Sequence, residues 1–501
     1  MHLYSRGFHW LTLSALAAAL TACGGGGTTT AQVVQPTPTP TPVVAQAPAA
    51  GTYQVTTNLG QPLTFSNGTQ TSQPFQMTVG YGSAAFHDPK DPLNVLWTAS
   101  DRGPNIDCED VGGAPINISG FCGTLTGKIF PDPAFDPSIY QISLQQQGSV
   151  NTASLLKTVP LVDSKGQPVT GLSNDLPDRP KDLSVTSGKN FVATTNTESA
   201  YSSTLKPLGF NQNGLDTEAM VRLPDGSFWM AEEYAPSLVH VSATGTVLER
   251  VVPADSNVTN PVTGLSMSIC DALKNGTANT KGATYPINCA LPGILDLRSL
   301  NRGLESLGVS ADGKTLYFAM QSPLSNPSKD AYKASRNVRL FTASLNADGS
   351  FGKVTGEYLY VLDTPDTFPL DKSTKQNDVK LSEMSVTPSG KIIQLERISF
   401  QTKLYQLDLS QATNLLGSKW DDRTTQPAFE QQTDLNAAGI VAISKTLVFD
   451  TAKDLTAATN PGKVEGLAFL NASNFVLTTD NDFGVVSPQS FFYVVSKALG
   501  Q

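Results

Sequence analysis

Acidic residues recur in this sequence at the ends of short apolar hairpins, a pattern that could bind a metal ion. Four hairpins carry a glutamate at the start of the first strand: Glu218, Glu305, Glu383 and Glu465. Oxygen-bearing side chains also end or follow the second strands: Asp101, Glu232, Gln321, Glu396, Asp480 and Asp482. Calcium takes about six to eight oxygen ligands. We therefore expect a calcium site whose ligands are Asp101, Glu218, Glu305, Glu383 and Glu465.

Basic residues accompany these acidic positions along the chain. The four that do so are Arg102, Arg302, Arg397 and Lys463. They could form ion pairs with the carboxylates, or they could bind an anionic substrate. A single carboxylate at a strand end is often only a solvated turn residue. Recurrence at one position of four hairpins favours a shared site.

Antiparallel hairpins must position these groups. The clearest copies are Asp216–Tyr234, Gly303–Ser322, Leu381–Ile398 and Lys463–Phe483, with a degenerate copy at Tyr81–Gly103. The start of one strand and the finish of the next lie at the same end of a hairpin, so each copy would offer two side chains there. If the first strand of each copy is innermost, these side chains would ring one mouth of a central channel.

Further strand-like segments follow each hairpin, which gives about four strands per unit, as in propeller blades. The sequence thus predicts an all-β, β-propeller-like fold with about six blades of about four antiparallel strands. The recurring units support five or six blades and allow seven. An N-terminal strand within Tyr53–Phe65 is expected to close the last blade beside Ser490–Ser496.

The N-terminus has the features of an export signal and a tether. Residues 1–22 contain Arg6, an apolar run and small residues before Cys23, and they resemble a bacterial lipoprotein signal peptide. That resemblance implies lipid attachment at Cys23. Residues 23–50 form a linker rich in Pro, Thr and Gly, and residues 51–501 the folded domain. We expect a lipid anchor in the cell envelope, at the outer membrane, facing the periplasm or the cell surface.

The other four cysteines fall into two pairs that are close in sequence. Three connectivities are possible, and an oxidising compartment favours the local one, Cys108 with Cys122 and Cys270 with Cys289. Neither pair has the spacing typical of zinc ligands.

Charge and missing motifs exclude several classes of protein. The formal net charge of −9 argues against a nucleic-acid partner. The sequence has no Gly-x-Ser-x-Gly elbow, no His-Glu-x-x-His zinc motif and no glycine-rich nucleotide loop. A Ser-His-Asp triad would have to use His87 in a polar turn or His240 inside a strand, so carboxylates are the favoured catalytic groups.

The hairpin motifs resemble those of a known family. They include SDRGPN at Ser100–Asn105, RGLESL at Arg302–Leu307, KVEGLA at Lys463–Ala468 and DNDF at Asp480–Phe483. As a set they resemble the phytase-like domain of bacterial proteins described as having esterase-like activity of phytase. The resemblance implies a β-propeller-like fold and hydrolysis of phosphate or carboxylic esters. The acidic positions that match its motifs are Asp101, Glu218, Glu305, Glu383, Glu396, Glu465, Asp480 and Asp482.

Two functions are compatible with this pattern. The first is a hydrolase of phosphoesters or other esters that uses Ca²⁺ to neutralise substrate charge and activate water. In it, the catalytic carboxylates are Asp480, Asp482 and Glu396, with Asp480 or Asp482 as general base, and the substrate-binding residues are Arg102, Arg302, Arg397 and Lys463. The second is a non-catalytic binding propeller with a structural metal ion and ligand-binding loops.

Overall fold

The computed structural model describes residues 46–180, 193–194, 196–254, 268–456 and 459–499. The predicted signal peptide, Cys23 and the linker as far as residue 45 lie outside these ranges. No helix in the described ranges is long and apolar enough to cross a membrane. The α-helices are Ile269–Asn275, Lys329–Ala334 and Thr451–Asp454, and the 3₁₀ helices are Gly293–Leu297, Pro365–Thr367, Gln376–Asp378, Lys419–Asp421, Phe429–Gln431 and Asp482–Gly484.

Five sheets contain most of the strand residues of the described structure, and the helices are few and short, which confirms the all-β prediction. Sheet 1 consists of Ala84–Phe86, Val95–Ala99, Ser138–Gln147 and Val150–Pro160. Sheet 2 consists of Thr217–Arg222, Phe228–Glu232, Ser237–Val241, Val247–Pro253 and Ile287–Leu291. Sheet 3 consists of Leu304–Val309, Thr315–Met320, Asn337–Leu345 and Phe351–Val361. Sheet 4 consists of Lys380–Val386, Ile392–Arg397, Thr402–Asp408 and Ser444–Asp450.

Sheet 5 joins the two ends of the described chain. It consists of Val464–Asn471, Asn474–Thr479, Ser490–Ser496 and Gly51–Val55. Gly51–Val55 pairs antiparallel with Ser490–Ser496. The partner is the expected one, but the strand starts and ends earlier than expected and shares only Tyr53–Val55 with the predicted range Tyr53–Phe65. All neighbouring strands in the five sheets are antiparallel, except that Ile287–Leu291 runs parallel to Val247–Pro253.

The first strand of each hairpin, called the inner strand below, contacts inner strands of other sheets. The inner strands of sheets 1 and 2, 2 and 3, 3 and 4, 4 and 5, and 5 and 1 are all in contact. Their residues are buried on both faces, as in Thr217–Arg222, because a neighbouring sheet packs on each side. Close approach requires glycine at Gly303, where a Cβ would lie 2.1 Å from the Glu233 carbonyl oxygen. The inner strands thus bring the hairpin ends of different sheets together.

A small sheet stands apart from these five. Its strands are Ile106–Asp107, Lys128–Ile129, Ala200–Tyr201 and Pro207–Leu208, and a further strand pair is formed by Arg179–Pro180 and Ala193–Thr194. The predicted disulfides are present: Cys108–Cys122 closes the loop beside the small sheet, and Cys270–Cys289 links a helix to the last strand of sheet 2. Both disulfides therefore restrain insertions outside the hairpins.

Candidate functional site

β-Bulges at the start of the inner strands set the direction of three predicted glutamates. In sheet 2, Thr217 lies opposite Glu232 and Ala219 opposite Ala231, so Glu218 is an extra residue without a partner. Glu305 and Glu465 have the same place in sheets 3 and 5. A bulge turns its extra side chain away from the ladder. All three glutamates line one cavity of about 290 Å³.

Sheet 4 departs from this pattern and corrects the expectation for Glu383. Leu381 lies opposite Glu396 and Met384 opposite Gln394, so both Ser382 and Glu383 lie within the bulge. Ser382 has the place that the glutamates have in the other sheets, and its hydroxyl donates to Glu305 Oε1 at 2.9 Å. Glu383 is fully buried and does not line the cavity.

Glu383 instead binds backbone groups between the sheets. Its Oε2 accepts a hydrogen bond of 3.0 Å from the Ala85 N–H, and backbone N–H groups of Met384 and Met220 also donate to the carboxyl group. Its Oε1 is buried and makes no hydrogen bond within the described residues. Burial raises the pKa of Glu383 well above its usual value. Glu383 therefore connects inner strands and contributes no ligand to the cavity.

This burial gives Glu383 a testable effect on pH-dependent stability. When the pKa of an acid is higher in the folded protein than in the unfolded chain, its contribution to stability is complete only at low pH, where both states are protonated. Above about pH 4–5 the unfolded chain ionises first, and the free energy of unfolding falls. The total loss is about 1.4 kcal/mol per unit of pKa shift. Glu383→Gln keeps an acceptor oxygen and cannot ionise. We expect it to match the parent protein at pH 5 and to be more stable at pH 8.

Urea unfolding at the two pH values measures this difference. Glu109→Gln is the matched control, because Glu109 is exposed. A Glu383→Gln variant that is destabilised at both pH values would show that the carboxyl group is ionised in the folded protein.

The second strands end in pairs of residues that point in opposite directions. Glu233, Gln321, Arg397 and Asp480 line the cavity. Glu396 does not, contrary to its predicted catalytic role, because the residue before Arg397 faces the other side of the sheet. It accepts hydrogen bonds from the Tyr360 hydroxyl at 2.6 Å and from Lys445 Nζ at 2.8 Å. Glu396 is thus part of a separate polar network.

The cavity collects all the other residues predicted for the site. Nine carboxylates, six basic side chains and three amides line it. The predicted residues among them are Asp101, Arg102, Glu218, Arg302, Glu305, Arg397, Lys463, Glu465, Asp480 and Asp482. Ten of the twelve residues predicted from the hairpin ends therefore lie around one cavity.

Three carboxylates form an acidic triad in the cavity. Oxygen atoms of Asp101, Asp216 and Glu218 all lie within 4.8 Å of one another. Burial, together with Asp216, raises the pKa of Asp101 to about 8, and it raises the pKa of Glu218 well above its usual value. Asp216 Oδ2 is buried and makes no hydrogen bond within the described residues. Arg102 Nη1 lies 3.6 Å from this oxygen. Such crowded carboxylates, with an oxygen that accepts no hydrogen bond, fit a divalent cation.

Glu232 does not line the cavity, but it holds the backbone of Asp216 in place. Its Oε1 accepts the Asp216 N–H at 3.2 Å, and its Oε2 accepts hydrogen bonds from Arg250 Nη2 at 2.8 Å and from the Ala235 N–H at 2.9 Å. Glu232 and Arg250 are both fully buried. The ion pair therefore supports the backbone from which Asp216 projects.

A second group of charges surrounds Lys463. Its Nζ lies 2.7 Å from Asp480 Oδ2 and also donates to Asp482. Although burial opposes the shift, the Lys463 ammonium lowers the pKa of Asp482 to about 2. Burial raises the pKa of Asp480 well above its usual value. Two adjacent carboxyl groups with pKa values moved apart can act as an ionised partner and a proton acceptor.

Two predicted substrate-binding arginines are already engaged with the protein. Arg102 donates to Glu198 at 3.0 Å and to Ser173 at 2.8 Å, and its guanidinium lies 4.9 Å from the ring centres of Phe130 and Tyr234. Arg397 Nη2 lies 2.5 Å from Glu465 Oε1 and 3.5 Å from Glu305 Oε1. Glu305 and Glu465 thus form ion pairs with Arg397 and are not among the three carboxylates of the acidic triad.

Sequence reasoning missed five charged residues that line the cavity: Asp107, Lys128, Asp216, Glu233 and Lys380. Asp216 was detectable, because it precedes Glu218 by two positions and side chains two apart share one face of a strand. Glu233 was masked by its neighbour Glu232, since either could have faced the cavity. Lys380 begins its inner strand and Lys463 directly precedes its own, but the residue two positions after Lys380 is Ser382, where Glu465 follows Lys463.

Similar proteins have been found by sequence and by structure. An uncharacterized secreted protein of Arthroderma benhamiae is 26% identical over 314 residues, covering 61% of this chain and 54% of that protein. The chain thus spans about half the length of this relative.

Three solved structures resemble the chain at low TM-scores. One is a calcium-binding regucalcin of Agrobacterium tumefaciens, with 12% identity over 85% of this chain and 92% of that chain and a TM-score of 0.28. Another is a periplasmic gluconolactonase of Pseudomonas aeruginosa, with 11% identity over 89% and 100% and a TM-score of 0.27. The third is a β-propeller domain of Myceliophteria thermophila Cps50, with 8% identity over 85% and 86% and a TM-score of 0.25. These TM-scores are too low to carry a conclusion about function.

The family assignment rests on a match that covers most of the chain. The family model described as esterase-like activity of phytase matches residues 83–483, a range that contains every residue of the cavity. The protein therefore belongs to the Phytase-like family.

Proposed function

We propose that this protein is a hydrolase of phosphoesters or other esters that uses a divalent cation, and that the cavity at the hairpin ends is its active site. The observation that carries the proposal is the acidic triad of Asp101, Asp216 and Glu218, which shares a small cavity with basic side chains. Membership of the Phytase-like family supports ester hydrolysis as the reaction.

We further propose that the five sheets are the blades of a β-propeller. The contacts between successive inner strands, and the return contact from sheet 5 to sheet 1, support a ring of five blades. The strand Gly51–Val55 would then close the last blade beside Ser490–Ser496. In this arrangement the cavity lies at one mouth of the central channel, where the predicted carboxylates meet.

Calcium fits the proposed site because its donors are carboxylate oxygens. Asp101, Asp216 and Glu218 would hold the ion, and a bound cation would polarise an ester oxygen and lower the pKa of water. In this scheme Asp480, whose pKa is raised by burial, accepts the proton of the attacking water. Lys463 keeps Asp482 ionised and orients both aspartates.

Export and lipid anchoring remain part of the proposal. The basic residue, the apolar run and Cys23 support attachment to the cell envelope, and the Pro/Thr/Gly-rich segment would separate the domain from the membrane. Incorporation of a labelled fatty acid by the parent protein, and its loss in Cys23→Ala, is the expected result. Equal labelling of the two proteins would exclude this anchor.

A non-catalytic binding protein is the second candidate function. Much of the cavity's charge is neutralised internally, as in the contacts of Arg397 with Glu305 and Glu465. A structural ion and a bound ligand would suit such a paired site without any turnover.

Turnover assays separate the two candidates. The domain from residue 51 onward is incubated with phosphate esters and carboxylic esters, in the presence of calcium or of a chelator, and released phosphate or alcohol is measured. We expect hydrolysis that disappears with the chelator. If no ester is cleaved under either condition, while calcium still raises the unfolding temperature, the binding function replaces the hydrolase.

A further inference from the structure

Lys380 is the basic residue of the cavity with an unusual place in its sheet. It begins the inner strand of sheet 4 and lies directly opposite Arg397 in the strand register. Both side chains line the cavity. Like charges on directly opposed residues of neighbouring strands are destabilising. The pairing of Lys380 with Arg397 therefore needs a compensating negative group.

The other basic side chains of the cavity form ion pairs with carboxylates of the protein. Each of them has a carboxylate oxygen within 4.0 Å: Arg102 with Glu198 and Asp216, Lys128 with Asp107, Arg302 with Glu233, Arg397 with Glu305 and Glu465, and Lys463 with Asp480 and Asp482. Among the described residues, Lys380 has no such ion pair. Within the described ranges its side chain is thus free of a carboxylate partner and can bind an anion that enters the cavity.

The surroundings of Lys380 oppose its charge. Burial, followed by the charges of Arg397 and Arg302, lowers the pKa of Lys380 to about 7. Glu305 and Glu465 act in the other direction, and Lys380 is also close enough to Glu233 to affect its pKa. Three cations therefore converge on one side of the cavity, and a bound anion would relieve their mutual repulsion.

The positive charge of Lys380, Arg302 and Arg397 favours one type of ester over another. An uncharged carboxylic ester offers only a carbonyl and an ether oxygen, and it would leave the repulsion among Lys380, Arg302 and Arg397 in place. A phosphate ester carries non-bridging oxygens with up to two negative charges, which accept charge-assisted hydrogen bonds from lysine and arginine.

We propose that Lys380 is a substrate-binding residue that receives the non-bridging oxygens of a phosphate group, and that phosphate esters are the substrate class of this cavity. The choice of phosphate esters rests on the proposed hydrolase function. The anion site itself does not, because it follows from the strand register and the ion pairs. Arg302 and Arg397 flank the phosphate, while the acidic triad lies across the same cavity.

Binding of inorganic phosphate to the full chain tests the anion site directly. Titration calorimetry compares the parent protein with Lys380→Met, Lys380→Arg and the control Lys391→Met, a lysine that is exposed in the hairpin turn of the same sheet. We expect Lys380→Met to weaken phosphate binding by about tenfold or more, because it removes a charge-assisted hydrogen bond. Lys380→Arg should retain most of the affinity, and Lys391→Met should equal the parent.

Unfolding temperatures of the four proteins establish that the comparison is between folded molecules. Equal phosphate affinity of Lys380→Met and the parent would overturn the proposal, and so would an equal loss in Lys391→Met. If Lys380→Met fails to fold, a loss of affinity in the folded Lys380→Gln variant replaces it as the deciding result.

Hydrolysis of p-nitrophenyl phosphate and p-nitrophenyl acetate tests the substrate class. We expect the parent protein to cleave the phosphate ester, and Lys380→Met to raise its KM by about tenfold, with the same leaving group in both substrates. Preference for the acetate would overturn phosphate esters as the class. If neither ester is cleaved but phosphate binding still depends on Lys380, the hydrolase proposal fails and the anion site stands.

Discussion

Replacing Asp216 with asparagine is expected to abolish stabilisation of the protein by calcium and to lower ester hydrolysis by at least about 100-fold. Mutation of a residue that only supports a metal ligand already lowers metal affinity or activity by about 10- to 100-fold. Asp216 belongs to the acidic triad itself, so its loss should have a larger effect. In the parent protein, calcium at about 100 times its Kd should add about 2.7 kcal/mol to the free energy of unfolding. The variant should show no such gain.

The apo protein supplies a built-in check on this variant. Asp216 repels Asp101 and Glu218, so its neutral amide should leave the calcium-free protein as stable as the parent or more stable. Denaturant unfolding with calcium or chelator measures both effects, and Asp366→Asn, at an exposed position, is the matched control. A calcium-dependent gain that survives in Asp216→Asn would show that the ion binds elsewhere.

Replacing Arg250 with methionine is expected to reduce the free energy of unfolding by about 3–5 kcal/mol, because it leaves the buried Glu232 carboxylate without its cation. Arg250 also donates to the Ser237 hydroxyl at 2.8 Å and to the Gly214 carbonyl at 3.0 Å. These acceptors lose their partner as well. Urea unfolding of the parent protein and of the folded variant measures this difference in the free energy of unfolding.

A double-mutant cycle isolates the ion pair from the other contacts. The Arg250→Met, Glu232→Met double variant should recover part of the loss, since no unpaired charge stays buried. Lys497→Met, which breaks an exposed pair with Asp454, should cost less than about 1 kcal/mol. An Arg250→Met variant as stable as Lys497→Met would exclude the buried pair as a major source of stability.

Calcium affinity links this ion pair to the site. Glu232 holds the Asp216 N–H, so the backbone that carries Asp216 loosens when Glu232 loses its partner. Arg250→Met should therefore weaken calcium binding even at temperatures where it remains folded.

Local regularity made the cavity predictable from the sequence. The hairpin pattern placed Glu218, Glu305 and Glu465 at equivalent strand starts, and antiparallel pairing brought those starts beside the ends of the second strands. These features depend on short-range spacing, which a single sequence contains.

Side-chain direction within irregular strands was not predictable in this way. The bulge in sheet 4 contains Ser382 as well as Glu383. With this one additional residue, Glu383 lies between the sheets and Ser382 donates a hydrogen bond to Glu305. Glu396 failed as a site residue for a related reason, because strand alternation gives the cavity position to Arg397. A shift of one residue reverses the face, and no residue type in the sequence reveals it.

Pairing between distant charges was also beyond the sequence. The acids and bases that meet in the cavity come from different sheets, as with Arg397 of sheet 4 and Glu465 of sheet 5. Which acid pairs with which base depends on which inner strands are in contact. Lys380 could be recognised as available only after the partners of the other cations were known.

The pairing of Gly51–Val55 with Ser490–Ser496 has a consequence for biosynthesis. During synthesis, the first strand of the domain emerges long before the strand that it pairs with. A chain that is cut short before Ser490 keeps the carboxylates of the cavity. It leaves Gly51–Val55 without its partner strand and exposes one edge of Asn474–Thr479. Exposed strand edges join with edges of other molecules. Truncated copies should therefore aggregate, so that only full-length chains reach a soluble folded state.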